Sequence, residues 1–163
     1  MLIVERADPL APGPRAILES SHALMREMFE PEENYFLDFE ALRGDDVRFF
    51  AAREGDVTLG TGALALKDGY GEVKSMFTAD AARGRGVAAA ILRALEDEVA
   101  ALIADGRISS RIDSENKHLV ARDKETALRV METHTMSDGT EKALVSRDQP
   151  TAEPIGWVIV QKE

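Results

Sequence analysis

The sequence predicts one α/β domain of the α+β kind, with about seven strands and about four helices, and three observations carry that prediction. At 163 residues the chain is long enough to bury a real core and short for two, so residues 1–163 are read as a single domain. Residues 47–78 hold three short β-rich runs joined by glycine-containing turns. Directly after them, residues 84–104 carry apolar side chains at a helical period.

Taken in order, Met1 to Val4 reads as the first strand, stopped by the proline-rich stretch from Pro9 to Pro14. A helix follows, because Ile17, Leu18, Leu24, Met25, Met28 and Phe29 recur at helical spacing while Glu19, Arg26 and Glu27 lie off that stripe. His22 and the methionines read as stripe or flank residues rather than ligands. PEEN at 31–34 breaks the helix, and FLDFEALRG adds a short second one ending at Gly44. The runs VRFFAA, VTLGTGALAL and YGEVKSMFT, separated by Glu54-Gly55-Asp56 and Lys67-Asp68-Gly69, describe an antiparallel meander of three strands. Val87, Ile91, Leu92, Leu95, Val99, Leu102 and Ile103 stripe the long helix after it, and Gly106 is its stop. Beyond that point RISSRID reads as a fifth strand, KETALRVMETH as a helix, KALVSR as a sixth strand and IGWVIVQK as a seventh.

Composition narrows the chemistry. A hydrophobic share of 44% and a charged share of 31% suit a soluble globular chain, and no apolar run approaches the ~20 residues of a membrane span. Glu5 and Asp8 stand where a signal peptide would still be apolar, so the expectation is a cytoplasmic protein with no membrane partner. The absence of cysteine removes disulfides, thiolate metal sites and a cysteine acyl-enzyme. His22, His118 and His134 form no metal-binding spacing, so no metal is expected. A net charge of −10 disfavours a nucleic-acid surface and suits the attraction of cationic amines.

The stretch ARGRGVAAAIL at 82–92 is the strongest chemical signal. A strand ending near Thr78, a short loop and glycines at the first turn of a long helix make an anion seat: the helix start offers unpaired N–H groups and partial positive charge, and glycine admits a phosphate close to the main chain. Arg83 and Arg85 add charge. The pattern is neither a P-loop, since no Lys-Ser/Thr follows the second glycine, nor GxGxxG, since Ala89 stands at its third glycine.

The order of strand, helix, short helix, meander, R-G-R-G-V-A and amphipathic helix resembles the GNAT superfamily of N-acetyltransferases. Its core motif, Arg/Gln-x-x-Gly-x-Gly/Ala, is matched by Arg83, Gly86 and Ala88, with Gly84 and Val87 also of the usual type. HALMREMF, LDFEALRGDDVRFFAAREGD, LGTGAL and GEVKSMFTADAARGRG resemble a branch of small bacterial acetyltransferases, and the likeness covers about residues 1–105. It implies a mixed, mostly antiparallel sheet with a V-shaped splay between strands 4 and 5, and acetyl-CoA in the gap. The pyrophosphate would lie on the N–H groups of Arg83, Gly84, Arg85, Gly86, Val87 and Ala88, and the pantetheine arm would pair with the main chain at Met76 and Thr78. Arg93 lies about two turns into the helix, where it could reach toward a phosphate, though a solvated helix face is the favoured reading.

The family's usual chemistry is direct transfer of acetyl from the thioester to a primary amine in a ternary complex. That needs a base, N–H groups to polarise the carbonyl and an acid for the departing thiolate. Glu72 is the candidate base, placed by even spacing on one strand face with Lys74, Met76 and Thr78, though pairing with Lys74 is the competing reading. The acceptor is an unspecified small molecule or peptide, and a homodimer is compatible with the family.

The C-terminal third departs from the pattern. Where many relatives carry a tyrosine in LYExxGF, LRVMETHTM puts Met131 at the tyrosine, Thr135 at the glycine and Met136 at the phenylalanine, and the only tyrosines are Tyr35 and Tyr70. Asp113, Ser114 and Asn116 read as loop polars. Three readings of the departure stay open: divergence, a catalytically degenerate acyl-CoA-binding module, or an altered reading frame after about residue 105.

Overall fold

The computed structural model describes residues 1–28, 38–67, 69–109, 111–113, 118–121, 124–135, 141–147 and 154–160. They fall into two compact units, one of Met1–Leu64 with Lys74–Leu95 and one of Ala65–Val73 with Glu96–Glu163.

The first unit begins with β1 (Leu2–Arg6), antiparallel to β2 (Val47–Glu54) from Leu2 opposite Glu54 to Arg6 opposite Phe50. Strands β3 (Val57–Leu66) and β4 (Gly71–Thr78) continue the order β1-β2-β3-β4. Phe49 to Ala52 and Leu59 to Ala65 are buried without a break, the mark of strands covered on both faces. Between β1 and β2 the chain forms α1 (Pro12–Met28), which carries two prolines in its first turn where their missing N–H groups cost nothing, and α2 (Phe39–Leu42), capped by Asp38 on the Ala41 amide at 2.7 Å. Pro14, Ile17, Leu18 and His22 form the buried stripe of α1. Leu24 and Met28, assigned to that stripe from spacing, are exposed, Met28 at 63%, because the inward face ends at His22; Phe29 lies outside the described residues.

Helix α3 (Val87–Ala104) buries Val87, Ile91, Leu95, Val99 and Leu102, the expected period. It stops at Gly106, whose φ of +74° lets its own N–H reach Ile103 O at 3.0 Å and the Arg107 N–H reach Leu102 O at 2.9 Å. Among the described residues no helix is long and apolar enough to cross a membrane.

The second unit contains β5 (Arg111–Asp113), β6 (His118–Ala121), β7 (Lys124–Thr135), β8 (Glu141–Arg147) and β9 (Pro154–Val160). They follow the order β9-β8-β7-β6-β5, every neighbouring pair antiparallel, and β9 also pairs with the start of β4, Gly71 opposite Ile159 and Glu72 opposite Val158.

Three expectations change here. KETALRVMETH is a strand, β7, and no helix. The segment has alternating Leu128 and Val130 with β-branched Thr126, Thr133 and Thr135, so a stretch whose period is ambiguous settles as a ladder against β8 from Leu128 opposite Arg147 to Thr135 opposite Glu141. The described residues consequently hold nine strands and three α-helices, against about seven and about four. The V-shaped gap cannot lie between the fourth and fifth strands as numbered, since β5 pairs β6 and the strand beside the start of β4 is β9.

Candidate functional site

The turn between β4 and α3 is built by anchoring both of its ends and leaving the middle in solvent. After Thr78, a 3-10 turn at Asp80–Ala82 buries Ala82, and five residues later Val87 is buried too. Both join the cluster of Ala52, Leu59 and Ile91. Between them Arg83, Gly84, Arg85 and Gly86 are all exposed.

Gly84 and Gly86 each have φ of +80°, and a Cβ at either position would meet nothing within 4 Å. Glycine is therefore required there by backbone conformation, not by crowding. The Ala90 N–H donates to Gly86 O at 3.0 Å, which makes Gly86 the residue that starts the helix. The N–H groups of Gly84, Arg85, Gly86, Val87 and Ala88 have no main-chain acceptor among the described residues, and the first turn of α3 contains no acidic side chain. The arrangement is a short arc of free donors at the positive end of an 18-residue helix, fit for a diphosphate. One expected donor is taken: the Arg83 N–H reaches Asp80 O at 3.3 Å, because it closes the 3-10 turn.

The two arginines are held differently. Arg83 is kept by its own loop, with Nη2 3.1 Å from Asp80, Nε donating to Thr78 O at 3.3 Å and its guanidinium 5.6 Å from the Phe77 ring centre. Arg85 reaches across to Glu54 at the end of β2, an ion pair with both side chains about half exposed. Arg93 is exposed on the helix face.

Just past the end of β4 the Ala79 N–H donates to Leu59 O at 2.8 Å, which directs Ala79 at β3. Main-chain groups alternate along an antiparallel strand, so those of Thr78 and Met76 are directed at the opposite edge. The side chain of Met76 packs instead on the core cluster: a Cβ at Gly62 would lie 2.5 Å from both Met76 Sδ and Ile91 Cγ2, so β3 needs glycine there to admit them.

Sequence reasoning missed Ser75. It has φ of +54°, a left-handed conformation that costs a non-glycine residue about 1–3 kcal/mol. Thr61, fully buried, holds it by donating Oγ1 to Ser75 O at 2.9 Å. The Ser75 Oγ is itself buried, with no hydrogen-bond partner among the described residues. Nothing in the sequence marks a left-handed residue unless it is glycine or asparagine, so no signal was available. One consequence touches Glu72: the even spacing that grouped it with Met76 and Thr78 assumed an unbroken pleat, and the pleat is interrupted at Ser75. Glu72 itself is buried, 5% exposed, on the part of β4 that pairs with β9.

Met131 stands at the register shift of β7, between Val130 opposite Val145 and Glu132 opposite Leu144, so the expected tyrosine position is a bulge in a strand. Asp113 lies in β5, while Tyr35, Ser114, Asn116 and Met136 lie outside the described residues.

Known proteins were compared with this arrangement. The chain is 34% identical over 100 residues to an IAA acetyltransferase of Azospirillum brasilense, covering 60% of this chain and 65% of that one. It is 37% identical over 94 residues to YedL, an uncharacterized N-acetyltransferase of Escherichia coli strain K12, covering 57% and 59%. The matched stretch thus spans about three fifths of each of these relatives. Among solved structures, an aminoglycoside 6'-N-acetyltransferase complexed with coenzyme A aligns over 96% of this chain and 95% of its own with a TM-score of 0.52 and 14% identity, which is a likeness of fold alone. The family model for the GNAT acetyltransferases matches residues 15–122, a range that runs from α1 through the glycine-arginine turn and α3, and the chain therefore belongs to the acetyltransferase (GNAT) family.

Proposed function

We propose that this protein is an acetyl-CoA-dependent N-acetyltransferase that passes an acetyl group to a primary amine of a small molecule or peptide, by direct attack within a ternary complex. The observation that carries the reading is the arc of free main-chain donors from Gly84 to Ala88 at the start of α3, bordered by Arg83 and Arg85. The diphosphate of acetyl-CoA sits on those donors. The pantetheine arm runs along the edge of β4 to which Thr78 and Met76 direct their main-chain groups, pairing as a short strand would. Membership of the family and the coenzyme A held by the aminoglycoside acetyltransferase of similar fold support the choice of cofactor.

The chemistry asks little of a covalent nucleophile, which suits a chain without cysteine. Glu72, a buried carboxylate on β4, takes a proton from the acceptor ammonium, directly or through water, so that the amine nitrogen is free to attack. The nitrogen bonds to the thioester carbonyl carbon, main-chain N–H groups stabilise the oxyanion, the carbon–sulfur bond breaks to release CoA thiolate, and the nitrogen gives its second proton to water while the thiolate takes one from solvent. Calorimetric titration with acetyl-CoA tests the cofactor, and thiol release across a panel of primary amines tests the transfer. Absence of acetyl-CoA binding overturns the reading. Binding without thiol release from any amine leaves an acyl-CoA-binding module.

A further inference from the structure

The Arg85–Glu54 ion pair joins two segments that are 31 residues apart in the chain, and it sits at the phosphate turn itself. Arg85 lies between the two left-handed glycines, with open space beside each of them, so rotation about Gly84 and Gly86 can swing it without displacing a packed side chain. Its partner is the last residue of β2, next to the turn at Gly55. Side-chain exposures of 50% for Arg85 and 44% for Glu54 make this a surface pair, which water and salt weaken and which little energy is needed to part. Arg83 contrasts with it: three contacts within its own loop and strand keep that guanidinium where it is.

We propose that Glu54 is a positioning residue for the cofactor, holding Arg85 in reserve, and that Arg85 passes from the Glu54 carboxylate to a phosphate of CoA when the cofactor binds. This rests on the acetyl-CoA reading above. A phosphate is the better partner for a guanidinium, since it carries more charge and presents paired oxygens to the planar fork. The exchange has a counterweight. Once Arg85 leaves, the Glu54 carboxylate stands uncompensated beside a bound polyanion, and the like charges repel. Glu54 thereby limits how tightly CoA is held and speeds its departure after transfer.

The test is calorimetry and stopped-flow dissociation with CoA and with 3′-dephospho-CoA on wild type, Glu54→Gln, Arg85→Gln and the double variant, with thermal melts as the fold control. Glu54→Gln is expected to bind CoA about two- to fivefold tighter, the range set by the strength of a surface pair, with slower dissociation. Arg85→Gln binds more weakly, and in its background the gain from Glu54→Gln shrinks to the part due to like-charge repulsion, while an undiminished gain overturns the exchange. Gain that persists with 3′-dephospho-CoA assigns the exchange to the diphosphate, and gain that disappears assigns it to the 3′-phosphate. A tether with a purely structural role would give the opposite sign: unchanged or weaker CoA binding by Glu54→Gln overturns the proposal while leaving the cofactor reading intact. No CoA binding by the wild type removes both.

Discussion

The turn at Arg83–Gly86 and the strand pair β7–β8 use the main chain in opposite ways. From Gly84 onward the turn presents a row of N–H groups without main-chain acceptors among the described residues, at the start of a helix that cannot use them. The strand pair spends its main chain in an antiparallel ladder from Leu128 opposite Arg147 to Thr135 opposite Glu141, interrupted by one bulge. Capacity to bind an anion therefore collects where backbone geometry leaves donors over, and it does so only because buried Ala82 and Val87 hold the exposed residues between them. A ladder of the same length stabilises the chain and offers a ligand nothing from its paired groups.

The largest effect that would break this contrast is at Gly86. Tryptophan there keeps the ends of the turn anchored but lays bulk over the free donors, since the space beside the residue is empty of protein. CoA affinity should fall about 100-fold or more, equivalent to ~2.7 kcal/mol, with the far-ultraviolet circular dichroism unchanged. Gly86→Ala shares the strain of φ +80° without the bulk, so the gap between the two variants isolates occlusion of the donors. Equal CoA affinity for the tryptophan variant and the wild type would place the phosphates elsewhere.

Next in size is Glu72→Gln, which keeps the shape of the side chain and removes the proposed base. Turnover should drop about 100-fold or more while CoA affinity holds, the outcome expected of a base that acts on the amine and not on the cofactor. A wild-type kcat across the pH range would return Glu72 to a structural role on β4.

The ladder side of the contrast is tested at Val130, buried in β7 and opposite Val145. Val130→Ala should lower the unfolding free energy by about 1–2 kcal/mol in a denaturant titration. An unchanged midpoint would mean that the strand contributes little packing.

How much of this was readable beforehand depended on whether the signal was local. Val87, Ile91, Leu95 and Val99 repeat at one period only, and Gly55, Gly84, Gly86 and Gly106 mark positive φ that few other residues tolerate, so α3, its turn and the meander before it followed from the residues themselves. Residues 124–135 satisfy both periods poorly, and pairing with β8 decided between them, a partner that no local window contains. Ser75 is held by the Thr61 hydroxyl on its carbonyl, and Glu54 is paired because Arg85 reaches it, both tertiary contacts. REGD around Glu54 reads as a turn and nothing more. The elements that position the site were therefore local in origin, and the side chains that tune it were not.

The smallest expected effect concerns the one buried histidine of α1. His22 stacks on Phe39 with ring centres 5.4 Å apart, and burial, followed by the charge of Arg26, holds its pKa below the ordinary value of 6.5. The unfolded chain then takes up the proton before the folded one does. Stability due to neutral His22 is fully present above pH 6.5 and is lost as pH falls from there through the lowered folded value, after which the curve no longer depends on this group. His22→Gln removes the titration, so its denaturation midpoint should change less than that of the wild type between pH 7.5 and pH 5.5, although the variant starts lower through lost packing. Carboxylates titrate in both proteins and cancel in the difference. Parallel curves over that interval would show that α1 holds His22 no less readily charged than the unfolded chain does, and that its place on the buried stripe is a matter of packing alone.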